Sequence, residues 1–250
     1  MDSTTRPALT LPAAIIIAGA IIAMAIIWVR KPVTAPVATN EAAANSAVAV
    51  NKETSMAPVT SSDHIFGNPN AIIKIVEYSD TSCPYCKIFH PTMQKIMEQY
   101  GPSGKVAWVY RSFPLDKPNA NGQILHPNAG HESQALECAS ALGGNDAFWK
   151  FINRLYEITP SDQGQPLDQK QLPVIAKFAG LDTIGFNECL SSGRFKDKVE
   201  KQYLDGVNAG VSGTPYSVII TPSGSKIPII GAQSYATVKT AIDALLAEVK

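Results

Sequence analysis

The 250-residue chain carries no excess of either charge, with 21 Lys and Arg against 21 Asp and Glu. It therefore has no global field to draw it onto a polyanion, and no nucleic-acid partner is expected. Cysteine is scarce too. Four in a chain of this length cannot form the main scaffold, although an even count permits two pairs. Only Cys83 and Cys86 lie close together. Neither Cys138 nor Cys189 has a nearby cysteine or histidine, so the second ligand pair of a zinc site is missing. Lys87 stands where covalent haem attachment needs a histidine. No metal and no cofactor is implied.

Charge is also missing from Leu9 to Val29, a run rich in Ile and Ala that ends at Trp28, Arg30 and Lys31. About 20 apolar residues span a bilayer as a helix, whereas a cleaved signal has an apolar region of about 7–15. The length favours an uncleaved membrane anchor over residues 1–31. Arg6 precedes the run and two cations follow it, so charge does not set the orientation. Residues 32–62 contain no aromatic and are mostly Ala, Val, Thr, Ser, Asn and Pro. They read as a flexible tether whose typical reach is about 30 Å.

What is present is concentrated around Cys83-Pro84-Tyr85-Cys86. Two thiols at this spacing can close into a disulfide ring and reopen. The β-branched run Ile72 to Tyr78 predicts a central strand before the pair, and Phe89, Met93, Ile96, Met97 and Tyr100 predict a helix after it. Cys83 is then expected at a helix amino terminus, where unpaired N–H groups and the helix dipole favour a thiolate. Glu77 shares the strand face of Ile73 and Ile75, which buries a carboxylate six residues before Cys83 and makes it a candidate proton donor. Asp80 falls in the turn, where acids cap helices. Further on, Lys105 to Tyr110 reads as a second strand. Helical patterns follow over His131 to Leu142, Asp146 to Ile158, Asp168 to Phe178 and Thr183 to Ala209. Tyr216 to Ile220 and a strand after the Pro222 turn come next, then a last helix from Ser234.

Glu77-Tyr78-Ser79-Asp80 with Cys83-Pro84-Tyr85-Cys86, and Gly213-Thr214-Pro215 far downstream, resembles the DsbA-like branch of the thioredoxin superfamily over roughly Asp63 to Lys250. The resemblance implies an α/β thioredoxin fold at residues 63–250, with an inserted helical subdomain at about 116–209, behind the transmembrane helix and linker. It implies that Cys83 and Cys86 are catalytic, that Pro84 and Tyr85 tune the redox poise, and that Glu77 assists proton movement. Thr214-Pro215 would form a cis-proline loop that receives an extended substrate. DsbA itself has histidine in place of Tyr85, and glutaredoxins share the Pro-Tyr dipeptide. Cys138 and Cys189 fall on different helices of the insertion. In an oxidising compartment they are expected to pair, the alternative being two separate buried thiols.

The function so implied is a protein thiol:disulfide oxidoreductase that introduces disulfides into exported proteins. Its expected partners are reduced or unfolded exported proteins and a membrane quinone-linked protein that reoxidises it. A monomer is expected, anchored with its domain facing the periplasm or another extracytoplasmic space. Two rivals stay open: an isomerase or reductase using the same dithiol, and a non-catalytic module that binds a metal or a partner. No folded dimerisation domain precedes Asp63 in the sequence, which weighs against the isomerase.

Overall fold

The computed structural model describes residues 55–160 and 166–248. The anchor expected at residues 1–31 and most of the expected tether lie outside them. Among the described residues, no helix is long and apolar enough to cross a membrane.

A five-stranded sheet runs β1 (His64–Gly67), β3 (Val106–Ser112), β2 (Ile73–Ser79), β4 (Tyr216–Ile220) and β5 (Lys226–Ile230), in that spatial order. β2 and β3 are parallel, and every other neighbouring pair is antiparallel. The parallel step needs a crossover, which is α1 (Pro84–Tyr100). Between β3 and β4 the described residues form four α-helices: α2 (Ala129–Ile158), α3 (Leu172–Phe178), α4 (Thr183–Ser191) and α5 (Lys196–Asn208). The closing helix is α6 (Tyr235–Ala247), whose amino-terminal cap Ser234 accepts from Thr237 N at 3.1 Å.

β2 is buried on both faces, as its apolar run dictates. Ile73 and Ile75 pack with Trp108 and Tyr110 of β3, with α1, and with Phe148 and Ile152 of α2. On the opposite face Val76 and Tyr78 pack with Val109, Val218 and Tyr216. There Gly206 of α5 comes so close that a Cβ would stand 2.4 Å from the Phe113 ring. A side chain at that position would push α5 off the sheet.

The structure differs from the sequence reading in three places and bears it out at a fourth. Asp63 to Asn70 reads as a polar opening with a turn signal at Gly67-Asn68-Pro69-Asn70, yet His64–Gly67 pairs with β3 as an edge strand. The two helical patterns at 131–142 and 146–158 are two helical segments of α2 that meet at a kink, where Gly144 (φ 71°, ψ −168°) is not helical. The stretch from Thr183 to Ala209 divides into α4 and α5 around Gly193, whose φ of 64° interrupts helical geometry. The tether also ends earlier than residue 62. Met56 is buried, and Arg111 donates to Ala57 O at 3.1 Å and Pro58 O at 3.0 Å while pairing with Asp63 and Asp205. A buried guanidinium needs partners on every side, and the incoming chain supplies two of them.

Candidate active site

The end of β2 turns directly into α1, with Cys83 as the helix cap (φ −78°, ψ 123°) and Pro84 opening the first turn. No acidic residue occupies that turn, so the partial positive charge of the helix end is uncancelled within α1. Cys83 is 4% exposed and Cys86 fully buried, and both are free thiols. The Thr214-Pro215 bond is cis and lies against the pair, with Cys83 Sγ donating to Thr214 O at 3.4 Å. The structure thus brings Cys83, Cys86, Thr214 and Pro215 together from regions about 130 residues apart.

The two sulfurs have opposite acidities. Hydrogen bonding from Cys86 pulls the Cys83 thiol down to about 6, against the opposing effect of burial, and the Thr214 side chain adds in the same direction. Thr214 Oγ1 is buried without another partner, free to turn its hydroxyl toward the sulfur. Burial pushes Cys86 well above the ordinary thiol range, and its position beside Cys83 and Glu77 pushes it further. Asp80 N donates to Cys86 Sγ at 3.4 Å.

Glu77 is fully buried beneath the pair. Its Oε2 accepts from Trp108 Nε1 at 2.9 Å, and Oε1 has no partner. Burial raises its carboxyl to about 7 despite that bond and one from Ser79. On the neighbouring strands it stands opposite Tyr110 and Ser217, whose buried hydroxyls also lack partners. Together these groups form a small polar layer inside an apolar core.

Asp80, read from sequence as a helix-capping acid, does something else. It is fully buried: Oδ1 accepts from Ser82 N at 2.7 Å, and Oδ2 accepts from both Leu115 N at 2.7 Å and His126 Nδ1 at 2.9 Å. A second buried acid, Glu132 of α2, accepts from Ser82 Oγ at 2.9 Å and from Gln169 Nε2 at 2.9 Å. Sequence reasoning missed both His126 and Glu132. His126 stands in an irregular loop, and Glu132 carries no spacing that separates it from a surface helix acid.

A cleft of about 270 Å³ opens beside Cys83, between Pro84 and Lys87 on one side and Leu125, His126 and Pro127 on the other. Lys87 Nζ donates to Thr159 O, which ties α1 to the end of α2. Tyr85 is 60% exposed and does not line the cleft. Cys138 of α2 and Cys189 of α4 are joined to each other, Cα to Cα 5.9 Å, in a disulfide within the helical insertion. Its closed loop of 51 residues stabilises the folded chain by roughly 2–4 kcal/mol. Among the described residues no cluster of three or more His, Cys, Asp or Glu could hold a metal ion.

Among curated proteins, the Na(+)/H(+) antiporter NhaA 3 of Salinispora tropica is 30% identical over 153 residues, covering 61% of this chain and 21% of that protein. The chain thus spans about a fifth of the length of the first curated relatives it matches. A putative protein-disulfide oxidoreductase of Rickettsia felis is 25% identical over 194 residues, covering 77% of this chain and 63% of that protein. Among solved structures, DsbA2 of Pseudomonas aeruginosa superposes with a TM-score of 0.62 at 26% identity, covering 76% of this chain and 97% of that one. A family model described as thioredoxin matches residues 59–244. The chain belongs to the thioredoxin family, on the branch whose solved members include DsbA proteins.

Proposed function

We propose that the chain is a thiol:disulfide oxidoreductase working in the oxidising direction, which introduces disulfides into reduced, unfolded exported proteins through Cys83 and Cys86. A substrate thiolate attacks Sγ of Cys83 in the Cys83-Cys86 disulfide. A mixed disulfide forms, and Cys86 leaves with the electron pair. Because Cys86 holds its proton so strongly, it takes one up at once, and the Glu77 carboxyl, raised to about 7, is the adjacent donor at neutral pH. A second substrate thiolate then attacks the substrate sulfur and expels Cys83 as a thiolate. The substrate loses two electrons and the enzyme dithiol gains them. The backbone beside the cis bond at Thr214-Pro215 and the cleft beyond Pro84 hold the extended substrate during the exchange.

The observation that carries this reading is the lowered proton affinity of Cys83. A sulfur whose anion is stabilised is a good leaving group, and stabilising the reduced form makes the disulfide more oxidising. Pro84 and Tyr85 set the geometry of the helix tip and so adjust that poise. The Cys138–Cys189 disulfide serves as the structural bridge of the insertion. A membrane-bound, quinone-linked partner takes the two electrons and restores the disulfide. Residues 1–31 anchor the chain, and the domain works as a monomer on the extracytoplasmic side, where disulfides persist.

The test is oxidation of a reduced, unfolded protein by the full chain and by Cys83→Ser. Turnover by the wild type and none by the variant is expected. A reduction potential near that of thioredoxin, about −270 mV, overturns the direction in favour of a reductase. Retained binding of a folded partner by Cys83→Ser, without any turnover in the wild type, overturns the enzyme.

A further inference from the structure

Three carboxylates surround the dithiol, and each is fully buried: Glu77 below it, Asp80 in the turn before it, and Glu132 on α2. Asp80 opposes an anion at Cys83, whereas Glu77, raised to about 7, is mostly protonated where Cys83 titrates. Among the described residues none of the three makes an ion pair with Lys or Arg. The basic side chain that meets one of them is His126. Its Nδ1 lies 2.9 Å from Asp80 Oδ2, and its ring is about one-fifth exposed while Asp80 is sealed. Its own backbone is pinned, with its N donating to Leu115 O at 3.0 Å, and Leu115 N donates to the same Asp80 oxygen that His126 contacts. The ring also lines the cleft that contains Cys83.

We infer that His126 is a positioning residue of the exchange reaction: as an imidazolium it offsets the sealed Asp80 carboxylate, and through that it governs how readily Cys83 carries negative charge. This rests on the oxidoreductase reading above and assigns a control to the same site. The groups facing the ring are Asp80 from the β2-α1 turn, Cys83 from the helix tip, Glu132 from α2 and Lys87 across the cleft. Asp116 bears on Asp80 from the loop after β3. Burial works against the imidazolium, but Asp80, Cys83 and Glu132 all favour it, and the balance raises the His126 proton affinity above the ordinary value. The cation is thus present at mildly acidic pH and is lost as pH rises through that raised value. Asp80 is then left uncompensated next to the sulfur. His90, the histidine on α1, plays no such part, because burial against Trp108 and Tyr156 drops it to about 4 and keeps it neutral.

The test uses the reduced full chain and follows Cys83 by its rate of alkylation with iodoacetamide against pH, together with its redox equilibrium with glutathione. His126→Gln, which keeps a hydrogen-bonding side chain without charge, is expected to raise the Cys83 proton affinity about tenfold. The glutathione equilibrium at pH 7 then shifts about fivefold toward the protein disulfide. His126→Lys, which restores a cation, is expected to stay within about twofold of wild type. Asp80→Asn lowers the Cys83 midpoint, and adding His126→Gln to it has less than a threefold effect, because the ring has lost the partner that keeps it charged. An unchanged midpoint in His126→Gln overturns the inference. So does a Lys variant that behaves like Gln, or an undiminished Gln effect in the Asp80→Asn background. Failure of the oxidoreductase reading is a separate result, seen as a wild-type chain that forms no disulfides whatever its midpoint.

Discussion

Cys83 and Cys86 share one helical turn and nearly equal burial, yet one thiol is held at about 6 and the other well above its ordinary range. Burial alone would raise both. What separates them is which side of the helix tip each sulfur faces. Cys83 meets donors: the Cys86 thiol and backbone, and the side chain of Thr214. Cys86 faces inward toward Glu77 and Tyr110, with one long bond from Asp80 N to offset them. In a dithiol the acidity of the first sulfur is therefore partly made by the second, which stays protonated in order to donate.

The hardest way to break this comparison is to remove that donor. Cys86→Ala is expected to abolish catalytic turnover, because no second sulfur remains to close the ring. It should also raise the Cys83 proton affinity by about tenfold or more. Trapped mixed disulfides on gels, and alkylation against pH, check the two effects separately. A Cys83 midpoint unmoved by the substitution would assign the acidity to the helix end alone.

Glu77→Gln probes the other side. Loss of the proton donor is expected to slow the first exchange step about a hundredfold at pH 7, read by stopped-flow fluorescence. The same residue has a stability signature whose sign follows from its shift. The folded state keeps a proton that the unfolded chain releases from about 4.5 upward, so stability falls as pH rises from about 4.5 to about 7, by on the order of 3 kcal/mol. Cys83 acts in the opposite sense in the reduced chain, whose stability rises from about pH 6 to about 9 as the folded thiolate forms. Denaturant unfolding of the oxidised chain removes the Cys83 contribution. There the Glu77→Gln variant should lose the acid-side slope.

A remote pair sharpens the contrast. Replacing both Cys138 and Cys189 by Ala should cost roughly 2–4 kcal/mol of stability while leaving the Cys83 alkylation midpoint in place. The bridge ties α2 to α4 inside the insertion, and neither cysteine lines the cleft. Calorimetry and alkylation on the same preparation decide whether the insertion only roofs the site or also tunes it.

The parts of the site that were legible in the sequence are those built from local pattern. Residues 72–78 and the apolar spacing after Cys86 place the dithiol between strand and helix, and period-two alternation places Glu77 inward. Asp80 was legible as a turn residue but not as a hub. Its partners Leu115 and His126 arrive from a loop with no periodicity, and a one-dimensional pattern holds no record of a contact 46 residues away. β1 was missed because four residues, of which Ile65 and Phe66 are apolar, give no alternation to count. It exists because β3 offers an unpaired edge. Gly144 was legible as a gap between two helical patterns, and the structure has a kink there, with two helical segments meeting at a residue whose backbone is not helical.

The smallest expected effect is at Tyr85. Its side chain is 60% exposed and lines no part of the cleft, so Tyr85→Ala should change stability by no more than about 0.5 kcal/mol. The tuning role proposed for it acts through the helix tip. A histidine at this position would bring a second titratable cation to the amino end of α1, beside a sulfur that already receives donors from Cys86 and Thr214. Tyr85→His is therefore expected to lower the Cys83 midpoint further and to move the glutathione equilibrium toward the reduced chain, about threefold to tenfold at pH 6 and less at pH 8, where the added imidazole is neutral. A shift of equal size at both pH values would assign the dipeptide's effect to helix-tip geometry rather than charge, and would leave the asymmetry between the two sulfurs as a property of their donors alone.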